Sequence, residues 1–377
     1  MNYLSTLAVF FSLFIGGIAN ATPVKMRDKI GQMLIIGFEG SRVDTNSPII
    51  KAIQDENIGG VILFDFNPKT TNFDKNIESP LQVRQLNYDL QQANTSAQTK
   101  YHRRFLPLLI SIDYEGGERG TRLNPMKGFP ETSSAEMVGK IGVPLANKNA
   151  EAMATTLQNL GFNLNFAPDM DVNVNPDNPI IGKLGRSFSS DPNDVAIYAG
   201  IYSHHFLYHK IQCAYKHFPG HGSATADSHL GFVDISNTWK PEELEPYVQL
   251  IGQEQSCDVV MTAHLVNRKL DESGLPATLS YKVITTLLRE KLKFNGVVIT
   301  DDMQMKAITN HYTLERAVTL SINAGADMLI FGNQLTDVPQ DPKAIIDIIE
   351  EKVQLGEISE QRINEAYQHI ITMKKTL

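Results

Sequence analysis

The chain has 377 residues, of which 42% are hydrophobic and 20% are charged, and its formal net charge is -8. This composition allows a large hydrophobic core and excludes a disordered or fibrous protein. Lys and Arg number 34 against 42 Asp and Glu, without a long run of like charge, so no nucleic-acid partner is expected.

The first residues have the features of an export signal. Residues 4–19 are apolar and end in Ala19-Asn20-Ala21, the small-x-small pattern after which signal peptidases cleave. We therefore expect a signal peptide over residues 1–21 and a periplasmic or secreted mature protein. Met1-Asn2-Tyr3 carries no Lys or Arg, which leaves an uncleaved anchor open. No later stretch offers the roughly 20 apolar residues of a membrane span.

Eight short apolar runs alternate with helix-like segments along the chain. The runs are residues 32–38, 60–64, 108–113, 162–167, 211–215, 258–263, 296–300 and 326–331. The helix-like segments are 26–31, 80–93, 147–160, 194–210, 241–254, 280–292, 313–324, 342–355 and 359–373. Such alternation over about 250 residues or more predicts class α/β with a single (β/α)8 TIM-type barrel over residues 22–377. A doubly wound sheet is the alternative, but a Gly-x-Gly-x-x-Gly after the first strand is missing.

The chain has only two cysteines: Cys213 lies within the apolar run 211–215, and Cys257 directly precedes the run 258–263. Neighbouring strands could bring them together, and export would permit a disulfide. We nevertheless favour two buried free thiols, because a sequence cannot show that the Cβ vectors converge.

Polar residues recur directly after the predicted strands, namely Asp113, Glu115, Asp169, Asp171, Lys216, His217, His264, Asp301, Asp302 and Asn333. In an α/β barrel these positions face one mouth, where catalysis takes place. A mouth rich in charged and hydrogen-bonding groups suits a sugar better than a lipid. Asp301 is the strongest candidate for a nucleophile because it ends a strongly apolar strand. One of Asp301 and Asp302 is also expected to be the N-cap of the helix that follows.

The loop after the fifth strand is densest in titratable side chains. It reads Lys216-His217-Phe218-Pro219-Gly220-His221-Gly222 and continues to Asp227-Ser228-His229. Asp227 and His229 are two residues apart, so the carboxylate can hold one ring nitrogen while the other moves a proton. The pair is therefore a candidate general acid/base.

Together these residues resemble the signature of glycoside hydrolase family 3 β-N-acetylglucosaminidases of the peptidoglycan-recycling type. Besides the loop, the likeness rests on Asp113-Tyr114-Glu115-Gly116-Gly117, Asn178-Pro179-Ile180-Ile181-Gly182, Arg186-Ser187-Phe188 and Thr300-Asp301-Asp302. The resemblance implies a retaining exo-acting enzyme that removes terminal β-linked GlcNAc from peptidoglycan fragments or chitooligosaccharides, without a metal or another cofactor. Asp301 would form a covalent glycosyl-enzyme, and His229, oriented by Asp227, would be the acid/base. The sugar-binding residues would be Asp113, Arg122, Arg186, Lys216 and His217.

Two segments depart from this pattern. The stretch from Gly117 to Arg122 is one residue longer than expected, so Arg119 and Arg122 compete for the binding role. The stretch from Gly182 to Arg186 is two residues longer, which can reshape the pocket for the acetamido group.

Three other hypotheses stay open. The first is a metal-dependent barrel hydrolase, although the spacing is not that of an H-E-x-x-H site; its ligands would come from His217, His221, Asp227, His229, His264 and Asp301. The second is a non-catalytic exported sugar-binding protein. The third is a phosphorylase, because a neutral histidine repels an incoming phosphate less than a carboxylate does.

Overall fold

A computed structural model describes residues 23–377 except Arg119 and Asp337. The predicted signal peptide, residues 1–21, lies outside the described residues and stays a prediction. Within the part of the chain that the structure describes, no helix is both long and apolar enough to cross a membrane.

Eight parallel strands close into a barrel, which confirms the predicted fold class. In chain order, β1 to β8 are Leu34–Gly37, Gly60–Ile62, Leu109–Ile112, Leu164–Asn165, Gln212–Phe218, Val259–Thr262, Val297–Asp302 and Met328–Phe331. Each strand pairs with the next in the chain, and β8 closes the barrel against β1, with Leu34 opposite Leu329. The strands are almost wholly buried, as expected where helices cover a parallel sheet.

Helices surround the barrel and bury their apolar faces against it. They are Met26–Gln32, Pro48–Glu56, Pro80–Lys100, Ala135–Ile141, Val143–Leu160, Pro192–Tyr208, Glu245–Leu250, Lys282–Lys291, Lys306–Thr309, Leu314–Ala324, Pro342–Gln354 and Glu360–Lys374. The helix that begins at Pro80 has the expected start, because Ser79 Oγ accepts a hydrogen bond from the backbone N–H of Gln82 at 3.3 Å. The helices Pro48–Glu56 and Ala135–Ile141 were not predicted.

The expectation of two free thiols is wrong, since Cys213 and Cys257 form a disulfide. They lie on the neighbouring strands β5 and β6 or directly beside them, where Ala214 pairs with Val259. This pairing brings the two Cα atoms to 5.1 Å, within the range that a disulfide requires.

Two strand ends differ from the prediction in ways that affect the site. Strand β5 continues to Phe218, so Lys216 and His217 belong to the strand itself. Neither Asp301 nor Asp302 is a helix N-cap, so the expectation that one of them caps the next helix is wrong: that helix starts at Lys306 with Met305 as its N-cap. Asp302 instead fixes the backbone beyond its strand. Its Oδ1 accepts hydrogen bonds from the backbone N–H groups of Gln304 and Gly332, at 3.0 and 3.3 Å.

Candidate active site

A cavity of about 330 Å³ opens at the carboxyl end of the barrel. It is lined by every site residue predicted from the sequence, namely Asp113, Arg122, Arg186, Lys216, His217, Asp227, His229 and Asp301. A smaller chamber of about 100 Å³ adjoins it and shares Asp113, Arg122, His229 and Asp301. A larger cavity of about 560 Å³ lies elsewhere, beside the helices Pro48–Glu56 and Pro342–Gln354, and has none of these residues in its lining.

Asp301 is the anionic group at the tip of β7. Burial raises the pKa of its carboxyl group, but three imidazoles outweigh burial and bring the pKa down to about 2; they belong to His264, His217 and His229. The backbone N–H of Asp302 also donates to Asp301 Oδ1 at 2.7 Å. Asp301 is therefore ionised at neutral pH, as a carboxylate nucleophile must be.

Asp227 and His229 form the expected pair on the loop after β5. His229 Nδ1 lies 2.7 Å from Asp227 Oδ1, and the backbone N–H of His229 donates to the same oxygen at 2.8 Å. Burial lowers the pKa of His229, but the hydrogen bond to Asp227 and the charge of Asp301 outweigh it and raise the pKa above 6.5. With its side chain 45% exposed, His229 can reach a substrate oxygen and exchange a proton near neutral pH.

Glu115 joins two buried cations in the cavity wall. It accepts hydrogen bonds from Arg186 Nε and Nη2 at 2.7 and 2.8 Å, and Lys216 Nζ lies 2.7 Å from its Oε1. Lys216 also donates to Asp113 Oδ1 at 2.9 Å. Burial lowers the pKa of Lys216, whereas Asp113 and Glu115 raise it, and the net result is about 12. Lys216 therefore stays charged and holds the Asp113 carboxylate in place.

Asp171 contacts both His217 at the end of β5 and His221 in the following loop, a role that we did not predict. Its Oδ2 lies 2.7 Å from His217 Nδ1, and its Oδ1 accepts the backbone N–H of His221 at 2.7 Å. Burial lowers the pKa of His217 to about 4, so the ring is neutral at pH 7 and donates from Nδ1 to Asp171. Its Nε2 is then an acceptor, 3.5 Å from Arg186 Nη2. The sequence feature that could have indicated this role is the position of Asp171 just past the fourth predicted strand.

The metal ligands considered from the sequence do not come together as a set. Within the described residues, one group is close enough to share an ion, and it consists of Asp169, Asp171 and His217. Arg186 Nη2 lies 3.5 Å from both Asp169 Oδ2 and His217 Nε2, so a cation already faces this group. Both ring nitrogens of His264 already have partners, namely Thr278 Oγ1 at 2.8 Å and the Asp302 carbonyl oxygen at 3.0 Å. His264 therefore links the ends of β6 and β7 and is not free to bind a metal.

Arg122 lies between the two chambers. Its Nη1 is 3.7 Å from Asp65 Oδ1, and its guanidinium stands over the ring of Phe64 at 5.6 Å. It lines both chambers. Arg119 lies outside the described residues, so the choice between the two arginines stays open.

Replacing Glu115 by Gln is expected to lower the free energy of unfolding at pH 7 by about 3–5 kcal/mol, because two buried cations lose their shared anion. Burial raises the pKa of Glu115, but Arg186 and Lys216 hold it well below its ordinary value of 4.5. The stabilisation is therefore present above pH 4.5 and is lost as the pH falls further. Urea unfolding across this pH range measures the difference. Exposed Glu118 is the control; Glu118→Gln should change stability by less than about 0.5 kcal/mol.

The mouth of this α/β barrel holds an ionised aspartate, an Asp–His pair and buried cations. This combination is typical of the active site of a barrel enzyme. The comparisons with known proteins specify the class further. The chain belongs to glycosyl hydrolase family 3, since the model of the family's N-terminal domain matches residues 25–373. The resemblance seen in the sequence motifs is thereby confirmed.

Several relatives and solved structures that are similar to this chain are named as hexosaminidases or β-N-acetylglucosaminidases. The β-hexosaminidase A of Pseudoalteromonas piscicida is 31% identical over 342 residues, covering 83% of this chain and 54% of the relative. The β-hexosaminidase LpqI of Mycobacterium tuberculosis is 34% identical over 277 residues, covering 71% of this chain and 68% of the relative. The family 3 β-N-acetylglucosaminidase structure from Paenibacillus sp. matches with a TM-score of 0.82 at 32% identity, covering 94% of this chain and 63% of that one. The chain thus spans about half the length of the first relative.

Proposed function

We propose that this protein is a retaining exo-acting β-N-acetylglucosaminidase that removes terminal GlcNAc from β-linked saccharides. The observation that carries the proposal is that Asp301 and the Asp227–His229 pair line one cavity. One ionised carboxylate and one group that titrates near neutral pH are what a two-step glycosidase requires, with an imidazole here in place of the usual second carboxylate. The names of the relatives support the same activity.

In the first step, Asp301 attacks the anomeric carbon while His229 Nε2 gives its proton to the departing glycosidic oxygen. The C–O bond to the leaving group breaks as the bond to the carboxylate forms, which yields a covalent glycosyl-enzyme. In the second step, His229 takes a proton from water, and the resulting hydroxide displaces Asp301 from the same carbon. Two displacements at one centre return the original configuration.

Three charged side chains of the cavity wall are suited to hold the sugar. Lys216 and Arg186 are fixed by Glu115, and Asp113, with 26% of its side chain exposed, presents carboxylate oxygens to hydroxyl groups. The cavity has the size of a small-ligand pocket and so favours a terminal sugar over an internal chain segment. We therefore propose that the enzyme cleaves a single sugar from the chain end.

The apolar part of the same cavity is suited to the acetamido methyl group. Ile180 and Leu184 line it, and Leu184 lies in the segment that is longer than the family pattern. We expect Leu184→Ala to reduce the preference for GlcNAc over glucose by roughly tenfold, because an apolar contact with one methyl group is worth about that much. Values of kcat/KM for the two aryl β-glycosides measure the ratio. Lys183→Ala, at the exposed neighbouring residue, should leave it unchanged; an unaltered ratio in Leu184→Ala contradicts this assignment.

We further propose that the mature protein acts outside the inner membrane, after removal of residues 1–21, on muropeptides or chitooligosaccharides. Product analysis on a panel of β-linked saccharides, with and without added phosphate, tests the proposal as a whole. Release of free GlcNAc irrespective of phosphate supports it. A sugar phosphate identifies a phosphorylase instead, and GlcNAc binding without turnover identifies a binding protein.

A further inference from the structure

The proposed acid/base lies in the tip of the loop after β5, residues 225–232, and this tip is anchored on both sides. Before the tip, Asn175 Nδ2 donates a hydrogen bond to the carbonyl of Ala224 at 2.9 Å. After the tip, the backbone N–H of Ile235 donates to the carbonyl of Val266 at 2.8 Å. The position of the acid/base therefore depends on what holds the tip between these two anchors.

Ser228 is the residue of the tip that is turned inward. It is 2% exposed, whereas every other residue of the tip is partly or fully exposed. Its Oγ lies 3.2 Å from Nε2 of His221, which is equally buried. Among the described residues, the other hydrogen bonds of the tip stay inside it and join Asp227 to His229 and Leu230. Within that part of the chain, the contact of Ser228 with His221 is the one hydrogen bond that ties the tip to the barrel.

An aromatic contact at the other end of the tip adds weaker support. The ring of Phe232 lies 5.6 Å from the ring of His311, at an angle of 64° between their planes. Phe232 is 46% exposed, so this contact excludes little water. It also lies three residues beyond His229, whereas Ser228 is the direct neighbour of His229 in the chain.

His221 is itself held in a fixed position. Its backbone N–H donates to Asp171 Oδ1, and its carbonyl accepts a hydrogen bond from Asn178 Nδ2, both at 2.7 Å. Burial lowers the pKa of its ring to about 3, so the ring is neutral near neutral pH. A neutral imidazole can donate to a serine hydroxyl or accept from it, so either tautomer can form the contact with Ser228.

We propose that His221 is a positioning residue for the acid/base, on which it acts through Ser228. Because Ser228 directly precedes His229, a fixed serine hydroxyl limits the positions that the imidazole of His229 can take. Ser228 and His221 line the same cavity as Asp301, so their contact holds His229 beside the nucleophile. This inference rests on the proposed function, in which His229 protonates the leaving oxygen.

Kinetics of Ser228→Ala test this role. We expect kcat/KM for a β-linked GlcNAc disaccharide to fall about tenfold, because a neutral hydrogen bond no longer favours the productive position of His229. For an aryl glycoside whose leaving group departs without protonation, the loss should be less than about twofold. The contact between Asp227 and His229 remains, so the pH at which kcat/KM falls on the alkaline side should not change.

Ser223→Ala is the matched control. Ser223 lies in the same loop and is also buried, but no hydrogen bond links it to residues 225–232. Its backbone N–H donates to Glu243 Oε2 at 3.2 Å, and the substitution keeps this group. Both kcat/KM values should therefore stay within about twofold of those of the parent protein.

A double-substitution cycle separates the hydrogen bond from other effects of His221. His221→Phe removes the ring nitrogens and keeps an aromatic ring, but it also changes the lining of the cavity. If the two residues act through their contact, adding Ser228→Ala to His221→Phe should lower kcat/KM for the disaccharide no further. Circular dichroism of each variant shows whether it is folded.

The outcomes distinguish this inference from the proposed function. A parent protein that releases no GlcNAc from either substrate overturns the proposed function, and the role of His221 with it. If the parent protein is active, an unchanged ratio of the two kcat/KM values in Ser228→Ala overturns the role of His221 alone. Additive effects of Ser228→Ala and His221→Phe have the same consequence, because the two residues then act independently.

Discussion

Replacing Asp301 by Ala is expected to lower kcat/KM for an aryl β-N-acetylglucosaminide by at least about a thousandfold, the scale on which loss of a nucleophile acts. The physical reason is that no other group at the tip of β7 can take its place. Burial raises the pKa of the neighbouring Asp302 to about 7, so at neutral pH it is partly protonated and a weaker nucleophile. The parent and variant are compared by initial rates at equal enzyme concentration.

Added azide separates loss of the nucleophile from loss of the fold. A small anion can enter the space left in Asp301→Ala and attack the anomeric carbon directly. The expected product is a glycosyl azide of inverted configuration, formed at a rate that rises with azide concentration. Activity of Asp301→Ala equal to that of the parent protein, without azide, contradicts the assignment of Asp301.

Replacing His229 by Ala is expected to lower kcat/KM for a disaccharide by about 10²–10⁴-fold, the usual contribution of a general acid/base. The loss should be much smaller for an aryl glycoside whose leaving group departs without protonation. A merely structural role for His229 would reduce both activities alike. The measurement is therefore the ratio of the two kcat/KM values in the parent and in the variant.

The pH profile tests the Asp227–His229 pair independently. His229 must be protonated to act as an acid, so kcat/KM falls as the pH rises through its pKa, which lies above 6.5. At low pH, kcat/KM should fall as Asp301 becomes protonated. The pKa of Asp301 is about 2, so this fall lies far from the working range. Asp227→Asn removes a contact that raises the pKa of His229, so the loss of activity should begin at a lower pH.

Asp234→Asn is the matched control for this experiment. Asp234 lies farther along the same loop and accepts the backbone N–H of Ser236 at 2.9 Å, the turn geometry that Asp227 forms with His229. It has no imidazole to orient, so its profile should match that of the parent protein. If kcat/KM falls at the same alkaline pH in Asp227→Asn as in the parent protein, Asp227 does not influence the pKa of His229.

Local patterns were enough to predict the barrel, and the family resemblance added the arginines of the cavity lining. Short apolar runs separated by amphipathic segments have few stable arrangements, so eight of them predict a closed α/β barrel. The barrel in turn places every strand-end residue at one mouth, as Asp113 and Asp301 illustrate. The Asp227–His229 contact was predictable because a spacing of two residues fixes it locally.

Contacts between distant parts of the chain were not predictable. Glu115 meets Arg186, 71 residues away, and Asp171 meets His217, 46 residues away, through packing that no local pattern encodes. The disulfide depends in the same way on how β5 and β6 are paired. The unpredicted helix Ala135–Ile141 has only 7 residues, too few for a clear period.

Identifying the residue that carries the glycosyl group tests the central claim most directly. A fluorinated GlcNAc substrate analogue that slows the second step should accumulate the intermediate, which peptide mass spectrometry can then locate. We predict one glycosyl unit on the peptide that contains Asp301, and none on Asp301→Ala. Glycosylation at another side chain, or a first-formed product with inverted anomeric configuration, would contradict the proposed mechanism.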